Sequence, residues 1–399
     1  MQTAATDTAA RRGLSVAALY AATVAVYADM YITQPILPVL SREFGVAPAT
    51  TGLSVSAVVL AIAVASPSSG PLSDVLGRKR VMVWSCALLA LPTLLCALAV
   101  SFGQLLAFRA LQGLCIPGLT AVAVAYIGDR YPIHALGALV GGWIAATVAG
   151  GLTGRVLSGL ITDLYGWRVA FICFAVLTLL CALAMASLLP RDPVRPAPGW
   201  ASAFRGMAAH LRDRRLAGAY LIGGTLFFGF LGIYTYLPYY LSASPFNLPP
   251  AVVALAYLTY LAGVIVSPMV GRLSVRIPRQ TLIGVGLLIA VIGVLGTLLP
   301  ALPLIGLSLL VLCTGMFTAQ AVAPAYVNAT AREAKGGANA LYMMSYYVGG
   351  TLGAVLPGLA WQRAGWPGVS GVCLAAFAVA LLASLTLCRE RRNPAPGAA

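Results

Sequence analysis

Charge is what this sequence has least of. Only 9% of its 399 residues are Asp, Glu, Lys or Arg, against about 25% in soluble domains. So few charges cannot cover the surface of a soluble globule of this size, whereas lipid solvates apolar helices directly. Acids are scarcest, with ten in the chain, and there are two histidines. No phosphate-cradling glycine loop, no Cys or His at metal-ligand spacing and no paired nucleophile and base occurs. The sequence therefore argues against an enzyme, an ATP-driven pump and a resident cofactor or metal. Period-two alternation is also missing from runs such as Val81 to Val100, which argues against a membrane barrel. The eight cysteines all lie in apolar segments and read as reduced packing residues.

Apolar length is what the chain has in abundance: mean hydropathy is +0.92, with 42 Gly and 25 Pro placed inside long apolar runs. Such residues suit packed membrane helices. Runs able to cross a bilayer core of about 30 Å fall at 14–40, 51–73, 80–100, 103–127, 136–160, 167–189, 216–241, 250–274, 279–299, 302–326, 335–360 and 366–388. The first exceeds a signal-peptide core and reads as a retained span. Two divisions rest on turn residues alone, Pro300 to Pro303 and Gly365 to Pro367. The expected fold is an all-α polytopic membrane protein of twelve spans, its lipid bilayer the first of its partners.

An even count puts both termini on one side. With the termini cytoplasmic, the inner loops hold 20 of the 25 Lys and Arg residues, the outer loops hold Arg42, Arg168 and Arg363, and Arg109 and Arg155 lie within spans. This is the positive-inside pattern of an inner-membrane protein; the net charge of +15 reports topology rather than nucleic-acid binding. Residues 190–215 are polar, basic and proline-containing, and read as a cytoplasmic linker between an N-terminal bundle over 1–189 and a C-terminal bundle over 216–399.

The halves repeat. Leu37-Pro38 recurs as Leu237-Pro238; Ser66-Pro67, Gly70 and Leu72-Ser73 recur as Ser267-Pro268, Gly271 and Leu273-Ser274; Gly166-Trp167 recurs as Gly365-Trp366. Every offset is 199 to 201 residues. Six spans separate the copies, so the repeats are parallel, and secondary transporters of that design bind substrate near midplane between two rocking halves.

Between the second and third runs the chain reads Gly70-Pro71-Leu72-Ser73-Asp74-Val75-Leu76-Gly77-Arg78-Lys79-Arg80. This resembles the G-x-L-x-D-x-x-G-R-[RK] signature of the major facilitator superfamily. Arg109-Ala110-Leu111-Gln112-Gly113 is similar to that family's R-x-x-Q-G motif. Gly150 to Gly159 is similar to its glycine-rich antiporter motif, with Arg155 where proline is usual. The Gly150 to Arg168 stretch, Lys335-Gly336 to Gly350 and Gln34-Pro35-Ile36-Leu37-Pro38 together resemble the YnfM-like branch of efflux permeases. The resemblance implies a monomeric transporter with a small-molecule substrate, moved out of the cell in exchange for protons. It also implies a latch of Asp74, Arg78 and Asp129 around Gly70 and Gly77, with Asp74 facing the start of the eleventh span.

An ionisable side chain at bilayer depth is a functional hypothesis by default. Asp29 is the one acid inside a span, and Arg109 and Arg155 sit at similar depth. Asp29 is therefore the candidate proton carrier, with the two arginines as charges that meet it in one state and leave it in another; a static Asp29–Arg109 pair is the alternative. Tyrosines with a wet end suit an amphiphilic substrate, which nominates Tyr31, Gln34, Tyr234, Asn339 and Tyr346 for its cavity. Uptake, proton-independent transport and a non-transporting receptor or lipid-moving role are the competing readings.

Overall fold

The computed structural model describes residues 2–190, 210–331 and 335–388, and among these every regular element is helical. Most of the linker and the stretch before the eleventh span, to which the resemblance assigns part of the latch, lie outside the described residues. Spans 1 to 10 are Gly13–Phe44, Pro48–Leu76, Arg78–Ala97, Phe102–Arg130, His134–Tyr165, Trp167–Leu188, Arg214–Ser242, Pro250–Leu273, Arg279–Gly296 and Leu302–Thr330. A last helix, Lys335–Thr386, has 52 residues, about 78 Å at 1.5 Å per residue and more than two crossings of a bilayer core. It is broken at Gly365, whose φ of 57° and ψ of −141° are conformations that side chains disfavour. Spans 11 and 12 lie on either side of that glycine, so twelve spans result, as expected.

Local chemistry sets the ends. Gly166, partner of Gly365 in the repeat, also has a left-handed φ of 89°, so both Gly-Trp dipeptides mark chain reversals. Asp213 caps span 7, its Oδ1 accepting the N–H groups of Arg215 at 2.8 Å and Leu216 at 3.4 Å, which satisfies donors left free at a helix start. The interruptions are just as specific. Span 1, expected as one run, is a helix to Tyr31, a turn, a 3-10 segment Gln34–Ile36 and a short helix Leu37–Phe44. Pro35 and Pro38 each remove a backbone donor. Span 8 likewise passes through a 3-10 segment, Ala256–Tyr260.

Spans 1 to 6 pack mainly among themselves, as do spans 7 to 12, and the two sets meet where span 2 lies on span 11 and span 5 on span 8. Those meetings concentrate at one end of the bundle, the end bearing the Gly45 turn. There a Cβ on Gly52 would stand 2.2 Å from the Ala354 carbonyl oxygen, and one on Gly159 2.4 Å from the Ala254 Cβ, so side-chain-free backbone makes the closest approaches. Ser56 Oγ donates to the Thr351 carbonyl at 2.8 Å, Tyr239 donates to the Leu37 carbonyl at 3.1 Å, and Thr51 bonds Tyr239. Toward the opposite end, which bears the Gly77 turn, no residue from 134 to 145 in span 5 is buried. The bundle is sealed at the Gly45 end and splayed at the Gly77 end.

Candidate functional site

The break in span 1 creates the site. Where a helix stops, its last carbonyls lose their i+4 donors, and inside a membrane those carbonyls need partners from elsewhere. Arg109 of span 4 supplies them. Its two terminal nitrogens donate to the Asp29 and Met30 carbonyls, both at 2.8 Å, and its Nε donates to the Ser54 carbonyl of span 2 at 3.0 Å. Gln112 Oε1 accepts a further bond at 2.7 Å, while Gln112 Nε2 donates to Thr93 Oγ1 at 2.7 Å. The guanidinium is fully buried and tied to three spans.

Asp29 contributes its backbone to that arrangement but not its carboxylate. The side chain is fully buried and faces span 6, where Thr178 Oγ1 donates to Oδ2 at 2.7 Å; Oδ1 has no hydrogen-bond partner among the described residues. The described ion pairs are Arg78–Asp74, Arg78–Asp129 and Arg168–Glu43. The alternative of a static Asp29–Arg109 side-chain pair is therefore not made among the described ion pairs, because Arg109 is committed to main-chain oxygens and Gln112.

Arg155 turns toward the other set of spans. Its Nε donates to Gln34 Oε1 at 2.7 Å and a terminal nitrogen to the Gly151 carbonyl at 2.6 Å. Gln34 Nε2 in turn reaches Thr235 Oγ1 of span 7 at 3.2 Å. Three rings surround the guanidinium, with centroids 3.6 Å (Tyr31), 4.5 Å (Tyr260) and 5.3 Å (Tyr257) from its central carbon. Tyr257 and Tyr260 come from the 3-10 stretch of span 8. Behind them is Tyr234, its hydroxyl bonded to Thr259 Oγ1 at 2.6 Å and Cys313 Sγ at 3.0 Å.

Of the substrate candidates, then, Tyr31, Gln34 and Tyr234 gather around Arg155. Tyr346 stacks on Phe227 with centroids 4.0 Å apart, beside Tyr347. Asn339 stands apart in span 11, its amide donating to Asn328 Oδ1 at 2.6 Å. Sequence reasoning overlooked Tyr257, Tyr260 and Thr178. The i, i+3 tyrosines of span 8 were the available signal; Thr178 carried none beyond being a hydroxyl in an apolar run.

At the Gly77 end, Arg78 pairs with Asp129 at 2.5 Å and with Asp74, one helical turn earlier, at 3.7 Å, and it also bonds the Ala125 carbonyl. Gly77, with φ at 93°, needs to be glycine to make the turn. Gly70 has open space around it. The motif thus ties the turn after span 2 to the end of span 4.

Comparison with known proteins fits this architecture. The Major Facilitator Superfamily model matches residues 19–334. The chain belongs to the major facilitator superfamily. It is 38% identical over 377 residues to the Inner membrane transport protein YnfM of Escherichia coli K12, covering 94% of this chain and 90% of that protein. It is 30% identical to the uncharacterized MFS-type transporter YybF of Bacillus subtilis, covering 94% of both. Among solved structures, a bacterial homolog of the human lysosomal transporter Spinster, inward-facing and occupied, superposes with a TM-score of 0.75 at 16% identity, over 94% of this chain and 95% of that one. The nucleoside transporter NupG gives 0.74 at 14%, over 94% and 98%. In this superfamily member the two membrane-buried arginines differ sharply in what holds them: one is bound to main chain, the other to rings and an amide.

Proposed function

We propose that this protein is a proton-coupled antiporter that exports small amphiphilic or polar organic molecules by alternating access, as a monomer in the bacterial inner membrane with both termini cytoplasmic. In that orientation the sealed Gly45 end faces outward and the splayed Gly77 end opens to the cytoplasm, where an exporter takes up its cargo. The positive-inside distribution and the likeness to the inner membrane transport protein YnfM support the placement.

One observation carries the coupling: Asp29 is a fully buried acid at bilayer depth whose Oδ1 has no hydrogen-bond partner, and whose carboxylate has no cation within 4.0 Å, among the described residues. An ionised carboxylate in that setting is costly, whereas a neutral carboxyl is far less so. We therefore assign Asp29 a proton in this cytoplasm-facing state, released when the bundle rearranges and water or a cation reaches Oδ1. Arg109 holds the broken end of span 1 so that Asp29 stays opposite Thr178. Arg78, Asp129 and Asp74 form the latch, and the two six-span halves are the bodies that rock. In proteoliposomes loaded with a pH dye, solutes that bind should discharge an imposed proton gradient with wild-type protein and not with Asp29→Asn. Discharge by D29N at the wild-type rate would mean that Asp29 does not carry the proton, leaving proton-independent transport or coupling elsewhere.

A further inference from the structure

Resting on that transport reading, we propose that the Arg155 cage binds the carboxylate of its substrate, and that this substrate is a small organic monoanion with an aromatic or otherwise apolar body.

The argument begins with charge. Arg155 is 2% exposed, and no described carboxylate lies within 4.0 Å of its guanidinium, since the ion pairs of the described residues use Arg78 and Arg168. A buried cation normally stands with an anion. Asp29 cannot take that part in this state, because its carboxyl faces Thr178 on the other side of span 1. What surrounds Arg155 is neutral: the Gln34 amide, the Gly151 carbonyl and three tyrosine rings. Cation–π contacts lower the cost of holding the charge without cancelling it, so the cage keeps one net positive charge.

Position comes next. The cage is built from both sets of spans: Tyr31 and Gln34 from span 1, Arg155 from span 5, Tyr257 and Tyr260 from span 8, with Thr235 of span 7 joined through Gln34. Spans 1 and 8 both leave regular helical geometry there, as binding-site helices in secondary transporters do. The Tyr260 hydroxyl is buried without a hydrogen-bond partner among the described residues. A buried unsatisfied hydroxyl beside a cation with no carboxylate partner asks for an acceptor carrying negative charge.

Stoichiometry and shape select the class. Gln34 and Gly151 take two of the five N–H groups of the guanidinium, and a carboxylate matches the planar fork of an arginine. One arginine neutralises one charge, so a monoanion leaves the site neutral while a phosphate dianion would leave it negative. The walls around the guanidinium are aromatic and, among the described residues, carry no second charged group, so the rest of the substrate is apolar. A cationic solute would meet the same-sign charge of Arg155.

The test uses the purified full-length protein in nanodiscs with three probes of one size class: hippurate, its neutral amide hippuramide, and the cation benzamidine. Saturable thermal stabilisation should come from hippurate at concentrations at least tenfold below those needed for hippuramide, and not from benzamidine. Arg155→Gln should erase the preference for the acid, and Arg155→Lys, which keeps charge without the fork, should retain part of it. Equal binding of amide and acid, no saturable shift with hippurate, or an undiminished preference in both R155Q and R155K would each overturn the proposal. Labelled hippurate flux in proteoliposomes separates the two readings. Acid-selective binding without gradient-driven flux leaves the anion site standing and removes proton-coupled transport; gradient-driven flux that R155Q leaves unchanged does the reverse.

Discussion

Arg109 and Arg155 are the same residue type, both buried at membrane depth, yet they are solved in opposite ways. Arg109 spends its hydrogen bonds on the main chain of spans 1 and 2 and on Gln112. Arg155 has one main-chain acceptor, one side-chain amide and a set of ring faces. Carbonyls of a broken helix do not move away during a transport cycle without unravelling the helix end, whereas an amide and three rings drawn from both sets of spans can. On the proposed reading, burial alone therefore does not distinguish a structural arginine from a functional one. What distinguishes them is whether the partners are fixed.

The sharpest way to break the comparison is to remove each guanidinium. Arg109→Gln strands the Asp29, Met30 and Ser54 carbonyls, at about 1–3 kcal/mol for each acceptor left unsatisfied. Its melting temperature in detergent should drop by the largest margin of any variant here, with little folded protein recovered. Arg155→Gln should leave the melting temperature within a few degrees of wild type while the acid preference disappears. A collapse of R155Q matching that of R109Q would erase the distinction. Next in size, Gly52→Val puts a branched side chain where even a Cβ would lie 2.2 Å from the Ala354 oxygen. It should hold the Gly45 end apart, seen as greater labelling of a cysteine placed near Ser56 by an impermeant thiol reagent added from outside. A smaller effect is expected from Asp129→Asn, which removes the 2.5 Å ion pair to Arg78 and should slow turnover several-fold without altering probe affinity. Smallest is Glu43→Gln: its pair with Arg168 at 2.7 Å has both side chains well exposed, a setting worth about 0.2–1 kcal/mol, so stability should barely change.

Much of the fold was legible because membrane helices announce themselves through length and composition. The turn at Pro300 to Pro303 and the break at Gly365 were both visible as residues that helices avoid, and the break proved to be what separates spans 11 and 12 inside one long helix. The three ionisable interruptions were visible for the same reason. Their partners were not. Arg109 reaches Asp29 and Met30 across 80 and 79 positions of sequence, and nothing local in span 1 says that its carbonyls, rather than its carboxylate, are the acceptors. Pro35 was read as part of a family pattern; that the carbonyls left free where the helix ends at Tyr31 are collected by an arginine emerges only once span 4 lies beside the break. Tyr257 and Tyr260 went unnoticed because tyrosines in an apolar run usually pack or sit at the interface, and only the neighbouring cation sets these two apart.

The glycines at the Gly45 end bear on how quickly such a machine can cycle. Main chain lies directly on main chain between Gly52 and Ala354, so no long side chain has to be withdrawn and rethreaded there at each opening. On the alternating-access reading that contact would work as a plain bearing: two close surfaces part and meet again in the same register, with a short set of polar contacts, Ser56 and Tyr239 among them, to rewet. Wear in such a device comes from bulk added at the contact, which is why one extra methyl group there should matter more than losing a charge elsewhere on the surface.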